Sequence, residues 1–124
     1  MKTSLPLKDV IPVWIDHLGQ VRRLSPQTLR AYEQDAREWV TLFAEMGVKT
    51  GEDWEKVQSP RQLIRAALEK RMKGLESVSL SRKLAALRVF FRFLKEHSFL
   101  GRDLAALVPS PRVKRGLPRF AEVE

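Results

Sequence analysis

Leucine and phenylalanine recur at Leu80, Leu84, Leu87, Phe91 and Leu94, the three-and-four spacing that draws one continuous apolar stripe along a helix. Arg82, Arg88 and Arg92 fall outside that stripe. The segment from about Val78 to His97 is therefore expected to be an amphipathic helix, roughly 30 Å long at ~1.5 Å per residue. It turns large apolar groups inward and arginines outward, which suits contact with a polyanion.

Helix start and stop signals divide the rest of the chain. A first helix is expected from about Lys8 to Val21, with Val10, Val13, Trp14, Ile15 and Leu18 on its apolar side and Pro12 in its first turn. Ser25 is a good N-cap and Pro26 a good first residue for a second helix, which runs to Met46 and stops at Gly47. Its inward stripe is Leu29, Tyr32, Ala36, Trp39, Phe43 and Met46, leaving Gln27, Arg30, Gln34 and Arg37 outside. A single turn is expected around Trp54 and Val57. Ser59-Pro60-Arg61-Gln62 then repeats the start signal, with the Gln of a capping box. That helix reaches Lys73 and ends at Gly74, with Leu63, Ile64, Ala67, Leu68 and Met72 lining its core side. A short fifth helix covers Asp103 to Leu107. With no alternating strand pattern, the fold class is all-α, a compact bundle of four to five helices over residues 1–108. From Pro109 onward, prolines and Gly116 interleave with Arg112, Lys114, Arg115 and Arg119, an extended basic strap over residues 109–124.

The charge is unevenly placed. Residues 61–95 hold ten Lys or Arg against Glu69 and Glu76, which equals the net +8 of the whole chain. Residues 102–119 add +4, and the first sixty sum to about zero. A basic half joined to a neutral half is the footprint of a protein that lies on a phosphate backbone. A basic surface that serves only solubility is the alternative. Lys70, Arg71 and Lys73 have a sufficient explanation in the negative end of their own helix dipole.

Several chemistries are excluded or unsupported. Without cysteine there is no disulfide framework, thiolate metal site or cysteine nucleophile. His17 and His97 are the only histidines, each alone near a helix end, and no metal or cofactor is expected. No Ser-His-Asp grouping, carboxylate pair or glycine-rich phosphate loop emerges, so the chain by itself is not expected to be an enzyme. No apolar run approaches the ~20 residues of a membrane span. A cytoplasmic protein with no membrane partner is the expectation.

Nucleic acid remains as a partner. Arg30 projects near the start of the second helix, and Ser79, Ser81, Arg82 and Lys83 occupy the start of the fourth, where unpaired amides favour phosphate. Arg82, Ala85, Ala86 and Val89 lie opposite the buried stripe, with Arg88 and Arg92 on one flank and Lys83 on the other. Two readings stand for Ala85, Ala86 and Val89. They face a groove, or they pack on a neighbouring helix and leave only arginines exposed.

Four pieces in order carry a resemblance: Ser25-x-x-Thr28-x-x-x-Tyr32, then Leu84-Ala85-Ala86-Leu87-Arg88-Val89-Phe90-Phe91-Arg92-Phe93-Leu94, then Ala105-x-x-Val108-x-x-Pro111-Arg112, then Leu117-Pro118. From Leu7 to Phe120 the chain resembles the amino-terminal core-binding, SAM-like domain of tyrosine recombinases, with Xer-type enzymes and integron or phage integrases as the nearest relatives. The resemblance implies that the helices beginning at Ser25 and near Val78 cross at the major groove, as half of a C-shaped clamp on double-stranded DNA. DNA contacts then map onto Thr28, Arg30, Ser79, Arg82, Lys83 and Arg88, joined by Arg92 from the outer helix face. Arg112, Lys114 and Arg115 fall in a segment matching the interdomain linker, which in such enzymes runs along DNA. Other recombinase protomers, in a synaptic tetramer, are the implied protein partners.

The family's nucleophile is a tyrosine of a carboxyl-terminal catalytic domain, whereas Tyr32 matches a core position. The chain is accordingly expected to be a fragment of a parent recombinase. The family commonly has Asn-Pro-Ala where Asp103-Leu104-Ala105 stands, a departure expected to alter a helix cap and not DNA recognition. A freestanding helical nucleic-acid-binding module and a protein-interaction domain with an acidic partner are the competing readings.

Overall fold

Two of the long helices begin where a serine side chain relieves an unpaired amide and a proline follows as the first helical residue. The structure, a computed structural model, describes residues 2–109. It consists of α1 (Leu7–Val21), α2 (Pro26–Glu45), α3 (Gly51–Lys56), α4 (Pro60–Met72) and α5 (Ser77–Glu96), with 3-10 turns at Lys2–Ser4 and Ala105–Leu107. Ser25 Oγ accepts from Thr28 N at 3.2 Å and Pro26 follows as the first helical residue, which fixes the start of α2. Ser59 Oγ does the same for α4, accepting from Gln62 N at 3.3 Å. The stops are Gly47 and Gly74, with φ of +94° and +76°, in the left-handed region where a side chain is strained.

The core forms between α5 and the helices around it. Leu84, Leu87, Phe90, Phe91, Phe93 and Leu94 of α5 are buried, together with Trp14 of α1, Trp39 and Phe43 of α2, Trp54 of α3 and Ile64 and Ala67 of α4. Trp54 stands edge-on to Phe91, centroids 5.6 Å apart, and also edge-on to Phe43 at 5.1 Å. Trp14 lies between Tyr32 and Phe90, with centroids 5.9 and 5.0 Å away. Four helices are thus joined by these aromatic contacts, α1 and α3 each through one tryptophan.

Several local expectations are corrected. Pro12 sits in the second turn of α1, not the first. It faces solvent, where water can satisfy the carbonyl that its missing amide leaves unbonded. Val13, assigned to the apolar side, is exposed. The expected turn at Trp54 is a helix opened by a full capping box at Thr50 and Asp53, whereas Ser59 and Gln62 form only half of one. The fifth helix shrinks to a 3-10 turn at Ala105–Leu107, with Leu104 at its N-cap making no side-chain bond. Residues 110–124 and the Met72 side chain lie outside the described residues.

Candidate nucleic-acid interface

On α5, the side facing away from the core carries Val78, Ser81, Arg82, Ala85, Arg88 and Arg92, all partly or fully exposed. Three guanidiniums therefore share one open helix face. Of the alternatives for the small residues, Ala86 is fully buried, while Ala85 and Val89 are half-buried at the margin of the stripe. Glu76 precedes α5 without bonding its first amides, in contrast to the capped starts of α2, α3 and α4.

Lys83 corrects the expected placement. The pattern places it on the outer flank, but it is 7% exposed and its ammonium donates to Asp35 Oδ1 at 2.9 Å and Glu38 Oε1 at 2.8 Å. Asp35 is fully buried within α2 and also accepts two bonds from Arg82, Nε to Oδ2 at 2.9 Å and Nη2 to Oδ1 at 3.1 Å. Glu38 accepts a second, short bond from Arg71 of α4. A chain of alternating charge, Arg82, Asp35, Lys83, Glu38 and Arg71, thus ties α5, α2 and α4 together. The physical reason is that a fully buried carboxylate must be paired, and three donors from α5 satisfy it.

The same network shifts the titration of Glu38 and Arg82. Burial pushes the Glu38 carboxyl up, but the hydrogen bonds and charges of Lys83 and Arg71 outweigh it and hold Glu38 below its ordinary value of 4.5. The bond to Asp35 raises the Arg82 guanidinium above its already high ordinary value, against a smaller opposing effect of burial.

Contacts between α2 and α5 run in one sense, from Asp35 with Arg82 to Phe43 with Phe91, so the first turns of both helices lie toward the same end. Thr28 is there, half-buried, its hydroxyl accepting from Ser25 Oγ at 3.0 Å. Arg30 is exposed and lines an open groove of about 730 Å³ with Arg37, Lys70 and Arg71. Lys70 and Arg71, which suit the dipole of their own helix, thus share a groove with Arg30 that no linear pattern indicates. Glu33, Glu38 and Glu45 share that groove, so its field is mixed.

Ser79 is half-buried in the first turn of α5. Arg88 donates from Nη2 to the Pro109 carbonyl at 3.2 Å, and its buried Nε has no partner among the described residues. Arg92 is exposed and lines a shallow pocket with His17 of α1 and Arg22, the residue that follows that helix. Arg102, counted with the basic carboxyl-terminal stretch, is spent structurally: its Nη1 donates to the carbonyls of Trp54 and Val57 at the end of α3, at 3.1 and 2.8 Å. Arg112, Lys114 and Arg115 lie outside the described residues. Among those described, no group of three His, Cys, Asp or Glu side chains is placed to hold a metal, and no helix is long and apolar enough to cross a membrane.

The family model for the phage integrase N-terminal SAM-like domain matches residues 11–98, from within α1 to the end of α5. The chain belongs to this family. The matched region is the amino-terminal SAM-like domain and not a catalytic one, so no reaction is assigned to these residues. Among curated proteins, this SAM-like domain is similar to the tyrosine recombinase XerC of Pelobacter propionicus, 34% identical over 121 residues, covering 96% of this chain and 38% of the relative. It is 32% identical over 123 residues to the tyrosine recombinase XerC of Salmonella typhi, covering 98% of this chain and 39% of that protein. The XerC of Methylobacterium sp. (strain 4-46) is 32% identical over 113 residues, with 91% and 35% covered. The chain thus spans little more than a third of the length of the relatives it matches. No solved structure matches it significantly.

Proposed function

We propose that this domain binds duplex DNA as one half of a clamp in a site-specific tyrosine recombinase. The observation that supports it best is the open face of α5, where Arg82, Arg88 and Arg92 stand along one helix side with small residues between them. A helix of that width fits the major groove, and alanine between arginines lets the backbone approach a groove wall or a thymine methyl. Arg88 and Arg92 serve phosphate contact, with Thr28, Arg30 and Ser79 at the shared amino-terminal end of α2 and α5. Lys83 is a structural cation in this reading and does not touch DNA. In the parent protein, Arg112, Lys114 and Arg115 continue along the backbone toward a catalytic domain, and neighbouring protomers complete a synaptic tetramer. Chromosome-dimer resolution, integration and excision are the reactions such a parent would serve.

The test is salt-dependent binding to a labelled duplex carrying an inverted-repeat recombination site, with a scrambled duplex and a single-stranded RNA of equal length beside it. Contact with ~5 to 8 phosphates implies weak binding that falls steeply with salt, at about 0.9 per phosphate in log-log slope. Tighter binding to the site than to the scramble is the expected result. Equal binding to all three leaves only a general basic surface and refutes the clamp, and no binding at all refutes the nucleic-acid partner.

A further inference from the structure

We propose that Asp35 is a positioning residue for sequence reading: it fixes the Arg82 guanidinium in one orientation and cancels its charge, which makes Arg82 a directional donor to a base edge and not a phosphate contact. The inference rests on the DNA-binding reading above and assigns a specific role within it.

The geometry begins with which hydrogens are used. Arg82 spends its Nε hydrogen and one Nη2 hydrogen on the two oxygens of Asp35. Nη1 and the second Nη2 hydrogen have no partner among the described residues, and the side chain is 46% exposed. The unused edge is the end of the planar fork, the edge that pairs with two acceptors side by side, as guanine O6 and N7 present them. Asp35 cannot swing away, because it is fully buried and held from a third direction by Lys83. The orientation of Arg82 is thereby set before any ligand arrives, and the rotamer entropy of a long exposed side chain is not lost on binding.

Charge points the same way. Arg82 and Lys83 are balanced by Asp35 and Glu38, so Arg82 within this cluster adds little to the sequence-independent attraction of DNA. Arg92 is exposed on the same face, and Arg88 is half-exposed; neither has a carboxylate partner among the described residues, and both supply that attraction. One helix face therefore holds two kinds of arginine. The paired one discriminates, and the unpaired ones attract.

The prediction has a sign that loss of folding cannot imitate. A synthetic duplex library randomised across the groove-facing positions is enriched on the wild-type domain, and the enriched duplex is compared with its scramble. Asp35→Asn adds one positive charge and frees the fork, so affinity for the scramble rises, the salt slope steepens by up to about 0.9, and the ratio of enriched to scrambled binding falls. Glu38→Gln makes the same charge change without touching Arg82, so the scramble gains equally and the ratio stays. Arg82→Ala lowers the ratio about 5- to 150-fold, the equivalent of one bidentate base contact. Adding Asp35→Asn to Arg82→Ala lowers it no further.

An equal fall in the ratio for Glu38→Gln, or an unchanged ratio for a folded Asp35→Asn, overturns the proposal. Should Asp35→Asn fail to fold, the Arg82 Nε–H resonance of the free wild-type domain decides: slow solvent exchange supports a fixed fork, and exchange as fast as that of Arg92 overturns it. That measurement needs no DNA. A wild-type domain that enriches no duplex refutes the DNA-binding reading and the base-reading role together, whereas a fork found mobile in a domain that does enrich one refutes only the role of Asp35.

Discussion

Trp39 Nε1 donates to the backbone carbonyl of Lys83 at 2.9 Å, so the same residue of α5 that buries its ammonium against α2 also receives a bond from α2 at its main chain. Trp39 is 1% exposed and packs on Phe43. Truncating it to Ala is expected to cost about 3–5 kcal/mol through the cavity and lost apolar burial. Trp39→Phe, which keeps the apolar ring, is expected to cost a smaller amount, to which the lost hydrogen bond contributes about 1 kcal/mol. Urea denaturation followed by far-UV circular dichroism measures both, and equal costs would show that packing contributes nothing beyond the bond.

The charged network predicts a pH dependence. Because Glu38 is held below its ordinary 4.5 in the folded state, its contribution to stability is fully present above that value and is lost as pH falls through the lower, folded value. The stability difference between the wild-type domain and Glu38→Gln is therefore expected to be constant near neutrality and to shrink on acidification below about pH 4.5. Glu38 and Arg71 are partly exposed, so added salt shrinks the same difference. Paired denaturation curves across pH check this, and a difference that grows in acid contradicts the sign.

Gly51 and Gly74 should respond to alanine for different reasons. A Cβ on Gly51 would stand 2.0 Å from the Phe99 carbonyl oxygen, so α3 or the turn after α5 must move, at an expected cost of about 1–3 kcal/mol. At Gly74 nothing lies within 4 Å, and only the φ of +76° opposes a side chain, for about 1–2 kcal/mol. Asn at each position separates the two causes. It tolerates the left-handed region, so Gly74→Asn should recover most of the loss seen with Ala, and Gly51→Asn should recover none.

On the open face of α5, Arg92→Ala is expected to weaken binding to all duplexes alike and to reduce the salt slope by about 0.9. Arg88→Ala should do the same and also release Pro109, whose carbonyl it holds. Hydrogen exchange of the Val108 amide, which bonds the Ala105 carbonyl beside Pro109, is then expected to accelerate in Arg88→Ala and not in Arg92→Ala. Equal exchange rates would show that the Arg88 bond does not hold Pro109 in place.

What the sequence determined by itself was local. The spacing of Leu84, Leu87, Phe91 and Leu94, the caps at Ser25 and Ser59 and the stops at Gly47 and Gly74 specify where helices form and which side they bury, because each of those signals acts within a turn or two of chain. The family resemblance is likewise carried by short segments in sequence order, residues 25–32, 84–94, 105–112 and 117–118. Tertiary structure decided the charges. Asp35 lies one residue from the apolar position Ala36 and nothing in α2 alone explains its burial; its partners Arg82 and Lys83 are 47 and 48 residues away. Lys83 looked like a surface cation because a lysine is normally exposed, and it became an interior one only when α2 brought two carboxylates to it. Arg102 and Arg71 were likewise consumed by acceptors distant in sequence. Which cations remain free to meet a phosphate depends on where the carboxylates and carbonyls of other helices fall, and a periodic pattern holds no information about that.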